Sequence, residues 1–156
     1  MTINIQKEPF DLEKMISDLR ESKGSIGAVV SFIGYVREFN EDSEIKKLTQ
    51  MNLEHYPGMS EKALMKIELD ARSRWNLENI SIVHRVGELQ PSDPIVAVIV
   101  ASKHRKNAFE ACEFIIDFLK TDAPFWKKEI SGQDEFWVQG RVEDYQKKTS
   151  WNTKND

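Results

Sequence analysis

Apolar positions along this chain repeat with two different periods. Over residues 11–21 Leu12, Met15, Ile16 and Leu19 recur every three to four positions, the spacing of one helix face. Asp11 can cap that helix, and Gly24 lies just beyond its end. Residues 27–33 form an apolar run rich in Val and Ile that predicts a buried strand, followed by Gly34. The polar stretch 38–43 predicts a loop, and residues 48–56 predict a second strand with Met51 and Leu53 on one face. Pro57-Gly58 breaks that strand. Ser60 can cap a following helix whose stripe is Ala63, Leu64, Ile67, Ala71 and Trp75.

Over residues 80–86 Ile80, Ile82, His84 and Val86 alternate on one side of a strand. Pro91-Ser92-Asp93-Pro94 is a turn signal, and the unbroken apolar run after it predicts a fully buried strand over 95–102. A helix is predicted over 104–120, with a core stripe of Ala108, Ala111, Cys112, Ile115 and Leu119, and Pro124 prevents its continuation. Residues 125–130 and 135–138 read as two short strands joined by a turn containing Gly132. From Leu48 onward the order is β-α-β-β-α-β with additional strands. That order predicts an α+β domain with helices packed on a largely antiparallel sheet. No repeat or linker divides the chain, so residues 1–156 are expected to form one domain ending in a polar, lysine-rich tail over about 142–156. The tail reads as a frayed end, with Trp151 its one large apolar residue, able to dock on the body or on a partner.

Composition narrows the classes. Of 156 residues 40% are hydrophobic and 31% charged, as in a globular protein rather than a disordered one. Lys and Arg total 22 against 26 Asp and Glu, a net charge of -4, which argues against a global grip on nucleic acid. The longest apolar run, 95–101, is far short of a membrane span. Residues 1–8 show no basic flank leading into an apolar stretch, so no secretory signal is predicted and the cytoplasm is the expected compartment. One cysteine rules out an internal disulfide framework and a multi-cysteine zinc site. Three widely spaced histidines show no metal-ligand spacing.

Candidate chemistry therefore rests on cations. Cys112 lies on the apolar face of its helix and reads as a buried, inert thiol, so sulfur chemistry would need sulfur from elsewhere. His84, within an apolar alternation, reads as a partly buried structural residue. His104 and Arg105 open a helix, where free N–H groups attract anions; they read either as an anion site or as two solvated charges. Lys120 closes the same helix, where a cation meets the negative helix terminus. Lys127 and Lys128 follow Phe125-Trp126 on a strand and point to opposite faces, so one can face inward among aromatic residues. Arg37 adds a cation shortly after Gly34.

Several runs together resemble a known family. They are Phe32-Ile33-Gly34-Tyr35-Val36-Arg37, Leu53-Glu54-His55-Tyr56-Pro57-Gly58-Met59, His84-Arg85-Val86-Gly87-Glu88-Leu89, His104-Arg105, and the stretch from Asp117 through Lys120, Pro124-Phe125-Trp126 and Lys127-Lys128 to Glu129. In order and over roughly residues 27–141, they resemble the large, catalytic subunit of molybdopterin synthase, the MoaE family. The resemblance implies an α/β-hammerhead type of fold. It also implies sulfur transfer from the C-terminal thiocarboxylate of a small ubiquitin-like carrier subunit, ending in Gly-Gly, to cyclic pyranopterin monophosphate, which forms the dithiolene of molybdopterin. Two carriers flank a central homodimer, giving a heterotetramer, and no metal or organic cofactor is required. Carried over by position, the substrate pocket comprises Tyr35, Val36, Arg37, His104, Arg105, Lys120, Lys127, Lys128, Glu129 and Arg141, with Lys120 and Lys127 catalytic. Tyr35 departs from the pattern, since many members carry lysine there. The competing expectation is a non-catalytic α+β module that binds the carrier or another ligand. The acidic balance and the absence of an interleaved aromatic and basic strand motif count against RNA as that ligand.

Overall fold

The computed structural model describes residues 2–22, 24–38, 47–138 and 142–153. In chain order the elements are β1 (Thr2–Gln6), α1 (Leu12–Ser22), β2 (Ala28–Tyr35), β3 (Gln50–His55), α2 (Met59–Arg74), β4 (Asn79–Arg85), β5 (Gly87–Leu89), β6 (Pro94–Ser102), α3 (Arg105–Asp122), β7 (Phe125–Ser131), β8 (Asp134–Val138) and α4 (Val142–Thr153). The fold is α+β, as the element order predicts. Apart from the parallel pairing of β1 with β4, every strand pairing is antiparallel.

The strands form two four-stranded sheets. The first has the order β1-β4-β6-β2 and the second β5-β3-β7-β8. The β-α-β-β-α-β succession is therefore split: β4 and β6 pair in the first sheet, β3 and β7 in the second. One buried cluster spans both sheets. It runs from Ile80, Ile82, Val98 and Val100, through Leu64 and Ile67 of α2 and Phe114 and Ile115 of α3, to Met51, Leu53 and Leu89. β6 sits between β4 and β2 and is buried along its length after Pro94, which is why its sequence shows no polar alternation.

Four expectations need correction. β2 is not a buried strand but an edge strand, paired only with β6, and Ser31 and Phe32 are exposed. Ser60 does not cap α2. The cap residue is Gly58, whose φ of 83° suits glycine, and its N–H donates to the Glu61 carboxylate at 2.6 Å. Ser60 is instead fully buried, accepting from the Tyr56 N–H and donating to the Pro124 carbonyl at 3.1 Å, so it pins the start of α2 to the corner between α3 and β7. β1 and β5 lack long apolar runs and were not expected. The loop expected over 38–43 lies, beyond Glu38, outside the described residues.

The fourth correction is the tail. Residues 142–153 form α4, which packs on α3. Trp151 is 5% exposed and docks on the body, edge-on to Trp75 and Phe114 at ring distances of 5.8 and 5.6 Å. Its Nε1–H donates to Asp117 Oδ2 at 2.8 Å, and its carbonyl accepts from Arg74 Nη1 at 3.1 Å. Lys148, one turn earlier, pairs with Asp122 at the end of α3. A buried indole with its N–H satisfied outweighs the polar character of the surrounding helix.

Candidate active site

A cavity of about 420 Å³ lies where β2, β4, β7, α3 and α4 approach one another. Strand parity determines which side chains of β7 reach it. Phe125, Lys127 and Glu129 share one face and line the cavity, whereas Lys128 on the other face pairs with Glu135 at 2.7 Å and lies over the Trp137 ring. Lys120, in the last turn of α3, enters from a second side, and Tyr35 and Arg37 enter from the end of β2. Gly34 belongs to the same wall. A Cβ there would fall 2.9 Å from Val96 Cγ1, so only glycine leaves β2 this close to β6.

The charged lining comprises Arg37, Lys120 and Lys127 against Glu129 and Asp144. Asp144, from α4, stands 3.8 Å from the Lys120 ammonium. Glu129 is buried. His84 also lines the cavity. Its Nδ1–H donates to the Arg85 carbonyl at 2.8 Å, which fixes the tautomer, and its ring stacks on Phe125 with centroids 3.8 Å apart and planes 8° apart. Burial above all, opposed by that hydrogen bond and assisted by the charge of Lys127, lowers its pKa to about 4, so the imidazole is neutral near pH 7. Cys112 is buried and does not line the cavity; burial pushes its thiol up to about 11. Among the described residues no group of three or more His, Cys, Asp or Glu is placed to hold a metal ion.

The structure thus brings together five of the residues singled out from the sequence: Tyr35, Arg37, Lys120, Lys127 and Glu129. Val36 is 2% exposed and belongs to the core. Its backbone bonds to Asp93 and Ser92 hold the end of β2 against the turn before β6. Lys128 faces the opposite side of β7. His104 and Arg105 are exposed at the far end of α3, about 22 Å from Lys120 along an unbroken helix at roughly 1.5 Å per residue. Arg141 lies outside the described residues. Sequence reasoning passed over Phe125, His84 and Asp144 as site residues. Phe125 could have been found by its parity with Lys127. Asp144 lies seven positions before Trp151, on the same face of α4.

The constellation of fixed cations around a neutral imidazole suits an anionic substrate and negative charge developing on oxygen. The family model described as MoaE protein matches residues 5–122. The molybdopterin synthase catalytic subunit of Ralstonia nicotianae is 50% identical over 155 residues, 99% of this chain and 86% of that one. The solved molybdopterin biosynthesis MoaE protein from Burkholderia ambifaria has a TM-score of 0.82 at 46% identity, covering 97% of both chains. A Helicobacter pylori chain, solved in a protein-protein complex of subunits 1 and 2 of molybdopterin-converting factor, has a TM-score of 0.71 at 21% identity over 89% of this chain and 91% of that one, and shares the fold. With a family model covering most of its length and a half-identical relative along nearly all of it, the chain belongs to the MoaE family, that of the molybdopterin synthase catalytic subunits.

Proposed function

We propose that this chain catalyses sulfur transfer from the C-terminal thiocarboxylate of a small carrier subunit to cyclic pyranopterin monophosphate, building the dithiolene of molybdopterin. The convergence of Arg37, Lys120 and Lys127 in one cavity supports this most directly. Lys120 and Lys127 are the catalytic pair. They hold anionic groups and stabilise the oxyanion that forms as the thiocarboxylate sulfur is transferred. Lysine can also move a proton where its surroundings favour the neutral form. Tyr35, Arg37 and Glu129 complete the substrate wall, and the family resemblance adds Arg141 to the substrate-binding residues. The buried Cys112 thiol supports delivery of sulfur from outside the chain. A Gly-Gly tail suits that delivery, because a segment without side chains can thread a narrow opening. The reaction belongs to the cytoplasm; among the described residues no helix is long and apolar enough to cross a membrane.

His104 and Arg105 enter the scheme through a second copy. Since α3 is unbroken, a small pterin phosphate cannot touch both of its ends. In a two-fold dimer, the start of α3 from one subunit meets the lysine end from the other, and two equivalent composite sites result. With one carrier per site the assembly is a heterotetramer.

The deciding experiment incubates the protein with thiocarboxylated carrier and cyclic pyranopterin monophosphate and measures dithiolene product. Lys120→Ala and Lys127→Ala should each lower turnover by about 10²- to 10³-fold while the thermal midpoint stays near wild type. Near-normal turnover in either variant removes that lysine from the mechanism. For the composite site, inactive Arg105→Ala and Lys120→Ala proteins are mixed under subunit exchange. Recovered activity is expected, and confirmed exchange with none recovered excludes a shared pocket.

A further inference from the structure

His84 is the one buried titratable group of the cavity that the scheme above leaves unused. It is 3% exposed, so every polar atom of its ring needs an explanation. Nδ1 has one in the Arg85 carbonyl. Nε2 has none: no described residue pairs with it. Nor is it among the buried polar atoms sealed without a partner; Asn79 Oδ1 alone is in that position among the described side chains. In a residue that lines the cavity, Nε2 is therefore an acceptor open to whatever the cavity holds.

The surroundings keep it an acceptor. The Arg85 carbonyl accepts only, so the ring proton stays on Nδ1 and the lone pair on Nε2. The close stack on Phe125 fixes the ring plane and with it the direction of that lone pair. Lys127 on β7 and His55 on β3 face His84 as a cation and a potential cation, and Lys120 and Arg37 share the cavity; the Arg85 guanidinium, on the other face of β4, is held by the Lys7 and Pro94 carbonyls. A fourth positive charge here would be both desolvated and repelled, whereas Glu129 and Asp144 offer only charged acceptors. His84 thus supplies an uncharged acceptor, aimed in one direction, among groups suited to anions.

We infer that His84 is a specificity-determining residue whose Nε2 accepts a hydrogen bond from an N–H or O–H of the pterin substrate. The inference rests on the pterin sulfur-transfer reading above. It adds a requirement that cations cannot impose: a ligand must carry a donor at this point as well as an anionic group. A ligand without that donor would leave Nε2 buried and unpaired, a penalty amounting to roughly tenfold in affinity for a neutral pair.

The test uses the complex with the thiocarboxylated carrier. His84→Phe keeps a flat ring for the stack and removes the acceptor. Its KM for cyclic pyranopterin monophosphate should rise roughly tenfold, with kcat within about twofold of wild type, the split expected when uniform binding is lost. His84→Gln, which retains an amide oxygen, should recover part of the loss. A second measurement needs no variant. In protein labelled with ¹⁵N at histidine, saturating pterin should move the Nε2 signal of His84 and leave Nδ1 in place, while inorganic phosphate alone should move neither. A folded His84→Phe protein with unchanged KM, or an unmoved Nε2 signal with pterin bound and turned over, overturns the role of His84 and leaves the sulfur-transfer reading intact. Failure of the pterin to bind or react with the wild-type complex overturns both.

Discussion

Trp151→Ala tests whether α4 is a structural part of the protein or an appendage. The indole is 5% exposed, wedged between Trp75 and Phe114, and is the one buried side chain among the described residues of α4. Removing a buried large aromatic costs about 3–5 kcal/mol. Asp117 loses its indole donor at the same time, and an under-satisfied buried acceptor costs about 1–3 kcal/mol. The two do not simply add, because α4 can leave its groove as a unit. Its release lets water reach Asp117 and caps the loss at the docking energy of the helix. The expected result is a destabilisation of about 3–5 kcal/mol, or a fall in thermal midpoint of roughly 6–20 °C for a chain of this size. Trp151→Phe, which keeps a ring and loses the donor, should cost about 1–3 kcal/mol. Urea unfolding followed by circular dichroism gives the free energies, and hydrogen exchange shows whether the amides of α4 lose protection before those of α3. If Trp151→Ala stays within about 0.5 kcal/mol of wild type with α4 still protected, the docking account is wrong.

Cys112→Ala should retain sulfur transfer, and the wild-type thiol should resist alkylation at pH 8 while folded, because burial raises its pKa to about 11; loss of transfer in a stable alanine variant would make Cys112 a sulfur relay. Gly34→Val should displace the end of β2, since even a Cβ falls 2.9 Å from Val96 Cγ1, and should raise KM for the pterin; unchanged kinetics and stability would show that β2 has room there. Folded His84 has a pKa of about 4 against an ordinary value of 6.5, so the unfolded chain binds the extra proton first as pH falls. Stability linked to His84 should therefore fall between about pH 6.5 and 4, by a total of about 3 kcal/mol, and be flat over that window in His84→Phe when the two are compared by urea unfolding; parallel curves would refute the linkage.

Three of the four described helices were readable in the sequence because their period is local; α4 was not, since Trp151 is its one buried side chain among the described residues and no apolar stripe marks it. The stripes of α1, α2 and α3 are visible within a dozen residues, and Asp11 does cap α1, its carboxylate accepting from the Lys14 N–H at 3.0 Å. The partition of the strands was not readable. Whether Leu53 pairs beside Lys127 or beside a strand of the other sheet depends on contacts some seventy residues away, of which the local pattern carries no trace. β1 was missed because five residues with Ile3 and Ile5 half-buried fall below any periodic signal, and pairing with β4 makes the strand. At the site, parity separated Lys127 from Lys128 without saying which faces inward. His84 was hidden because an alternating apolar strand reads as core, and a core position that opens on a cavity looks the same in sequence.

The cavity has a consequence for biosynthesis on the ribosome. Its lining runs from Phe32 to Asp144, so its walls are separated by more than a hundred positions of chain. Contacts of that sequence separation are slow to form, since a long loop must close before they contribute. While β2 and β3 are emerging, neither Lys120 nor Lys127 has been made, and the last wall waits for α4 to dock through Trp151. A growing chain therefore presents fragments of sheet but no complete cavity. Only a chain that has reached and docked α4 carries every wall of the cavity.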